Sequence, residues 1–354
     1  MEHQEIKTIY LGGGTPLSIG KDHIFGLIDH IIQVWNSESL EEISIELNPD
    51  PFDEVLDFIR SCNQRYAQMM RVRYSFGIQT FDDDILEWSW RWYTYNQIKW
   101  FLRSLQPLKS AINCYNLDFI AFGSMNHPRS WTKWRNDKKK QFFEDLVASK
   151  TFDSFSLYML ELFPWSKRHQ LHLSWLNLHN KQILKQCINP DDEQIMSEYT
   201  WLSDTVQSYG YKRYEVSNYA LPWKESLHNM VYRNMKPYIG IGASASWCIF
   251  WSHQKITRYT NISSIGDYIK DKRLNEKKTI LLTPEEILFE QFMLGIRSGW
   301  IQNIEWYKSL LISWRQNKCS RYESQWLLIQ HNGGIKLTNQ WYNLANRIIS
   351  ELIH

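Results

Sequence analysis

The sequence predicts an α/β fold: a parallel sheet with crossover helices, either a barrel or an open sheet, followed by a smaller and mainly helical unit. Three observations predict it. Apolar, β-branched runs alternate with Ile, Leu and Phe at helical spacing through about residue 220; the polar residues of interest collect after those runs; and from residue 221 the alternation stops. At 354 residues the chain exceeds one ordinary domain, so we expect a first unit over residues 1–220 and a second over 221–354.

The first strand lies in IKTIYL and delivers Gly12-Gly13-Gly14-Thr15-Pro16 into one turn. Consecutive glycines cost backbone entropy, so a strand exit built this way either lets another molecule approach the main chain or serves a turn that needs positive φ. It is neither a P-loop, which needs Gly-Lys-Ser/Thr, nor a dinucleotide fingerprint, which needs G-x-G-x-x-G. Ile24, Leu27, Ile28, Ile31, Ile32 and Trp35 then recur at helical spacing with Asp22 as the expected cap. The next strand, Ile43 to Leu47, carries Glu46, and a carboxylate in an apolar strand must be ion-paired or face a polar cavity, because burying it alone costs several kcal/mol.

Asp50-Pro51 opens a second helix with Phe52, Val55, Leu56 and Ile59 on one face, and Tyr74 to Ile78 forms the following strand. Thr80 and Asp82-Asp83-Asp84 suit the positive end of a helix dipole, while Ile98, Phe101, Leu102 and Leu105 mark a fourth helix. Further strands run over Leu117–Ala121 and Phe155–Leu160. In barrels and open sheets alike, ligands sit at the C-terminal strand ends. Gly12 to Thr15, Glu46, Asn48, Gln79 and Asp118 therefore share one expected mouth.

In the second unit Thr283-Pro284-Glu285-Glu286 reads as a capping box before a helix through Ile287, Phe292 and Leu294 that Gly299 can end. A hairpin over Ile329–Leu337 turns at Asn332-Gly333, and Thr338 can cap a last helix bearing Leu344, Ile348 and Leu352. This pattern is winged-helix-like, and without a basic surface it suits packing or a lid rather than DNA.

Forty basic against thirty-eight acidic residues leave a formal charge of +2, no electrostatic footprint for nucleic acid, and Lys138-Lys139-Lys140 reads as a solvated helix face. The polar start, Met1 to Glu5, lacks a signal-peptide core, and no run reaches the roughly eighteen apolar residues of a membrane span, so a cytoplasmic protein without an integral membrane segment is expected. Cys62, Cys114, Cys187, Cys248 and Cys319 show no short spacing and offer neither a zinc knuckle nor a thioredoxin-type pair. Tryptophan is enriched, at 18 residues against only 15 glycines, where glycine averages about 7%.

Taken in order, IKTIYLGGGTP, ISIELNP, RYSFGIQTF, YEVSNYA, HNMVY with PYIGIGASAS, and FMLGIRSG resemble the radical S-adenosylmethionine proteins of the oxygen-independent coproporphyrinogen III oxidase type, with the nearer likeness to their haem-chaperone branch, HemW. The resemblance implies a partial (β/α) TIM-like barrel, here lacking its first strand, then a smaller C-terminal domain covering its mouth. It implies S-adenosylmethionine, haem and a [4Fe-4S] cluster as cofactors, haem or porphyrin as ligand, and a haem-acceptor protein as partner. Gly13, Gly14 and Thr15 would meet adenosylmethionine through backbone and hydroxyl, Glu46 would accept from its amino or ribose donors, and Gln79, Arg91 and Asp118 would line the same mouth. The haem signature corresponds to His228-Asn229-Met230-Val231-Tyr232. It makes His228 the candidate axial ligand, with Asn229 and Tyr232 beside it; a core-satisfied histidine is the competing reading.

The chain also departs from that family. The family's three cluster cysteines, C-x-x-x-C-x-x-C, precede the glycine turn and are absent here, and the dispersed cysteines cannot replace them. The expectation is an N-terminally truncated reading frame or a form that has lost the chemistry. Trp90, Trp223, Trp247 and Trp341 stand where the family typically has glycine, which points to TGA codons meaning glycine in the source organism. Tyr93, Arg233 and Ser124-Met125-Asn126-His127 also depart from the family and fit decay of a dead paralogue better. Three alternatives to a haem chaperone stay open: the oxidase itself, which decarboxylates two propionates; a cluster-less inactive relative; and a stacking platform of Trp88, Trp90 and Trp92 for sugars or single strands, set in acidic surroundings.

Overall fold

The computed structural model describes residues 5–122, 137–160, 192–252, 255–270, 278–298, 300–301, 328–331 and 334–337. Two compact units divide the chain, one formed by Met1–Arg213 with Ser217–Ser226 and the other by Tyr214–Val216 with Leu227–His354. The first is built on a seven-stranded sheet of β1 (Thr8–Leu11), β2 (Glu42–Leu47), β3 (Arg71–Gln79), β4 (Cys114–Ala121), β5 (Ser154–Met159), β6 (Lys212–Arg213) and β7 (Asn218–Ala220), in the order β1-β2-β3-β4-β5-β7-β6. The first five are parallel and follow one another without reversal, while β7 pairs antiparallel with β5 and with β6. A doubly wound sheet would reverse its strand order at a switch point; this unidirectional winding is that of a (β/α) barrel left open between β1 and β6.

Side chains alternate across these strands with period two, and the two faces differ in chemistry. Ile43, Ile45 and Leu47, then Val72, Tyr74, Phe76 and Ile78, then Tyr115, Leu117 and Phe119, then Phe155 and Leu157 form one buried cluster. Against them pack helices α1 (Lys21–Val34), α2 (Phe52–Tyr66), α4 (Tyr95–Leu105), α5 (Asp137–Ser149) and α6 (Asp192–Ser208), with the short α3 (Asp83–Trp88) preceding α4. The intervening positions are polar and bond one another across the strands. Asn116 Nδ2 donates to Ser75 Oγ at 2.8 Å and to Ser156 Oγ at 2.9 Å, Ser154 Oγ donates to Asn116 Oδ1 at 2.8 Å, and Arg73 Nη1 donates to Ser154 Oγ at 2.9 Å. A face left polar and fully bonded in this way is the lining of an open barrel, and it leads to the strand ends.

Some expected details differ. Gly20, at φ 86°, is the N-cap of α1, with Asp22 inside the first turn, and Leu27 is exposed because it turns away from the sheet. Pro51 takes the cap position of α2, leaving Asp50 outside it. The lysines of α5 are not simply solvated: Lys139 Nζ lies 5.3 Å from the centre of the Tyr95 ring and Lys140 Nζ 4.9 Å from that of Trp201, so their charges rest on aromatic faces. Tyr93 and Arg233 are not idle substitutions either. Tyr93 donates to Gly77 O at 3.3 Å, and Arg233 pairs with the buried Glu215, which also lies 3.8 Å from Arg297 Nε.

Two of the four tryptophans occupy glycine geometry. Trp90 follows α3 at φ 61°, with Trp90 N donating to Glu87 O and Arg91 N donating to Leu86 O at 2.8 Å, the paired bonds of a Schellman motif whose left-handed residue is usually glycine. Trp223, at φ 68°, is the third residue of a turn closed by Lys224 N to Leu221 O at 3.0 Å, with Pro222 second, the signature of a type II turn that also favours glycine. Both side chains are exposed, Trp223 by 88%. Trp247 lies instead inside the strand Ser246–Ser252 and has no turn to satisfy, but its indole Nε1 is buried with no hydrogen-bond partner among the described residues. Trp341 and residues 124–127 lie outside the described residues.

The second unit contains the antiparallel sheet β10-β9-β8 (Lys278–Leu281, Lys255–Thr260, Ser246–Ser252) and a second one of β11 (Trp300–Ile301), β13 (Gly334–Leu337) and β12 (Leu328–His331). Its helices are α7 (Leu227–Arg233), α8 (Ile265–Lys270) and α9 (Pro284–Arg297). The capping box is formed as expected: Thr283 N donates to Glu286 Oε2 at 2.8 Å and Glu286 N to Thr283 Oγ1 at 3.2 Å. The β12 and β13 strands pair as the expected hairpin, while Asn332-Gly333, Gly299 and the helix after Thr338 lie outside the described residues.

Candidate functional site

The C-terminal ends of β1 to β4 gather the candidate residues of the first unit. Gly13 and Gly14 have φ of 85° and 129°, a region that favours glycine, and a Cβ built on either meets no atom of the described residues within 4 Å, so among them the main chain here faces open space. Thr15 is exposed, and its hydroxyl makes no cap bond to the 3-10 turn Pro16–Ile19 that follows. Glu46, on β2, is held by two donors: Gly13 N at 3.1 Å from Oε2, and the Tyr10 hydroxyl on Oε1. The backbone of the glycine turn therefore already binds the carboxylate next to which a ligand would sit.

The register of β3 against β4 carries this site sideways, since Gly77 stands opposite Asp118 and Glu46 opposite Ser75. Asp118 accepts from Ser75 Oγ at 2.9 Å and from Asn116 Nδ2 at 2.7 Å. Burial pushes its carboxyl up to about 6, with the Glu46 charge adding to the rise and the Ser156 and Ser75 hydroxyls and Arg73 opposing it. Beyond Gly77 the strand bulges and Gln79 is forced to φ 69°, a conformation that costs about 1–3 kcal/mol and is retained where surroundings fix it. A Cβ at Gly77 would stand 3.0 Å from Gln79 Nε2 and 3.6 Å from Arg91 Nη2, so these two side chains converge over that glycine. Arg91 Nη1 donates to Asn48 Oδ1, and Asn48 Nδ2 to Asp50 O at 3.0 Å. The Schellman turn at Trp90 is what aims Arg91 at this place.

The mouth thus offers a carboxylate beside open main chain, a second carboxyl that titrates near neutrality, and a guanidinium with amide neighbours. Tyr10, Ser75, Asn116 and Ser156 belong to it and were not among the residues singled out from the sequence. Period-two spacing from Glu46 and Asp118 across adjacent strands is the signal that finds the last three; Tyr10 shows none beyond being an aromatic in an edge strand.

No family model matches the chain. It is 27% identical over 370 residues to the heme chaperone HemW of Lactococcus lactis, covering 99% of this chain and 86% of that protein. It is 28% identical over 298 residues to HemW of Bacillus subtilis, covering 83% and 70%, and 29% identical over 297 residues to HemW of Buchnera aphidicola from Schizaphis graminum, covering 83% and 69%. Among solved structures it matches the coproporphyrinogen III oxidase HemN of Escherichia coli, a radical SAM enzyme, with a TM-score of 0.70, 16% identity and coverage of 99% of this chain and 78% of that one. The chain is thus similar along its length to HemW haem chaperones and, in fold, to the radical SAM enzyme HemN. The family's barrel is the fold described above.

Among the described residues the donor set fits one cofactor of such proteins and lacks the ligands of another. Adenosylmethionine presents an ammonium, a carboxylate and a ribose, which call for carboxylate, cation and polar or main-chain partners, and Glu46, Arg91 with Asn48, and Gly13 to Thr15 are groups of those kinds. A cluster of the family's kind needs converging thiolates. The described cysteines, Cys62, Cys114 and Cys248, are each buried and separate, burial pushes the Cys62 thiol up to about 11, and no group of three metal-ligating side chains occurs among the described residues. The described residues therefore do not supply that cluster's ligands.

In the second unit, the haem candidates share one turn of α7. His228 is buried, its Nε2 is 2.8 Å from the Tyr232 hydroxyl four residues on, and the two rings meet edge to face at 4.8 Å. Tyr232 meets Tyr238 at 4.6 Å, the Tyr238 hydroxyl accepts from Arg258 Nη1 at 2.9 Å, and Arg258 is forked onto Glu290. Burial pushes the Tyr232 phenol up to about 12, so it stays a proton donor at neutral pH. Asn229 is half-buried on the same helix. The imidazole's Nε2 is thus already engaged, and coordination through that atom requires Tyr232 to release it.

Proposed function

We propose that the chain binds S-adenosylmethionine at the barrel mouth and haem at α7, and acts as a HemW-like haem chaperone in haem metabolism that passes haem to an acceptor protein. The reading is supported above all by Glu46, a carboxylate fixed by Gly13 N and Tyr10 at the edge of an open glycine turn. It is poised to receive an ammonium, with Asp118 adding negative potential and Arg91 available to a carboxylate. Gly13, Gly14 and Thr15 bind and orient the nucleoside side, Gln79 and Asp118 line the mouth, and His228, Asn229 and Tyr232 take the haem. When bound, adenosylmethionine would supply the reactive sulfonium of the radical chemistry of such proteins; this chain's own residues would position it. No helix among the described residues is long and apolar enough to cross a membrane.

Two titrations test this. Calorimetry with S-adenosylmethionine should show binding that Glu46→Gln weakens at least tenfold. Haemin should give a Soret shift that His228→Ala abolishes. A protein that binds adenosylmethionine but shows no histidine-dependent Soret band is instead the coproporphyrinogen oxidase-like alternative, and one that binds neither overturns the proposal.

A further inference from the structure

Tyr10 lies on β1 between Ile9, buried in the core, and Leu11, packed against it, so the period of the strand turns its ring to the opposite, mouth-facing side. Its β1–β2 register partner is Ser44, and Glu46 is the next residue of β2 on that same face. The ring lies over the glycine turn: a Cβ at Gly12 would stand 2.4 Å from Tyr10 Cε1 and 2.9 Å from Glu46 Cδ, an approach only a glycine permits. The hydroxyl ends on Glu46 Oε1.

We propose that Tyr10 is the positioning residue of the adenosylmethionine mouth, its O–H and the Gly13 N–H gripping one oxygen each of Glu46 so that the carboxylate plane is fixed toward the ligand's ammonium. A carboxylate carries about four lone-pair sites, so two remain for the ligand once these donors are placed. A free carboxylate would have to lose its rotational freedom on binding, whereas a gripped one has already lost it. The phenol also shares the negative charge that Glu46 and Asp118 accumulate at one rim. Burial, Glu46, Asp118 and Tyr158 all raise the phenol's pKa far above the ordinary value, so it remains a donor across the whole working range.

This rests on the proposed adenosylmethionine site, and the test separates the two. Tyr10→Phe keeps the ring over Gly12 and removes only the hydroxyl. Its affinity for S-adenosylmethionine, measured by calorimetry, should fall about tenfold, the scale of one hydrogen bond to a charged group. Its affinity for methylthioadenosine, which shares the nucleoside but has no amino acid moiety, should stay within twofold of wild type. Equal loss for both ligands, or no loss for either, overturns the positioning role, and if Glu46→Gln still weakens adenosylmethionine alone the site itself stands. Failure of the unsubstituted chain to bind adenosylmethionine overturns the site and the role of Tyr10 together.

Discussion

Replacing Trp223 by glycine should leave the protein more stable than replacing it by alanine, the reverse of the order found at an ordinary site. Both substitutions remove the same indole, of which only a small part is buried because it is 88% exposed, so their difference isolates the backbone. At φ 68° an L-residue bears a left-handed cost of about 1–2 kcal/mol that glycine does not. Glycine gives back about 0.4–1 kcal/mol through the freedom of the unfolded chain. The turn cannot relax cheaply, because Arg71 holds Trp223 O at 3.1 Å and Glu225 O at 2.7 Å. Glycine should therefore lead alanine by roughly 1 kcal/mol, a shift of about 2–4 °C in a unit of this size. Trp90, in its Schellman turn, should show the same order. Trp100, in the middle of α4 and half exposed, is the control, where alanine should lead by about 1 kcal/mol. Urea or thermal unfolding followed by circular dichroism reads all three pairs. Alanine leading at 90 and 223, as at 100, would refute the reasoning. The same logic expects TGA at codons 90 and 223 in the genomic DNA, and ordinary TGG triplets there would refute the recoding.

Adenosylmethionine affinity should fall as pH drops through about 6, because Asp118, raised from an ordinary 3.8, is neutral below that value and charged above it. Calorimetry between pH 5 and 7.5 should show the dependence in the unsubstituted chain and a flatter profile in Asp118→Asn. Glu215→Ala should destabilise the second unit by about 3–5 kcal/mol, since it strands Arg233 beside Arg297 without their buried carboxylate, and chemical denaturation measures it. Thr283→Ala opens the capping box of α9 and should cost about 1 kcal/mol in the same assay, with Thr283→Ser close to neutral. Tyr232→Phe removes the hydroxyl bonded to His228 Nε2 and should raise haemin affinity, read from the Soret titration; an unchanged affinity means that this bond does not compete with haem.

Much of the barrel was legible because its two signals reinforce each other. Apolar runs such as ISIEL marked the strands, and a polar letter inside them, such as Glu46 or Asp118, could be tolerated only where it is ion-paired or faces a polar cavity. Glycine at 12 to 14 marked the mouth. Helix caps were read less well: Asp22 and Asp50 are good capping residues, but Gly20 and Pro51 occupy the cap positions. Tyr10 could not be read at all, since an aromatic in an edge strand is ordinary and only the register toward Glu46 gives its hydroxyl a purpose. His228 and Tyr232 are four apart, so their contact was available from helix geometry, but that Nε2 is the bonded atom needed coordinates.

The Schellman turn behind α3 has one more implication. Arg91 reaches Asn48 because of the direction in which the main chain leaves the helix, and the side chain at 90 touches little, being 65% exposed. Sequence drift in that side chain is invisible to the mouth, whereas a residue that cannot turn left-handed would swing the guanidinium out of reach. Ligand selectivity can thus be altered at a distance by a substitution that contacts no ligand and leaves every mouth residue unchanged.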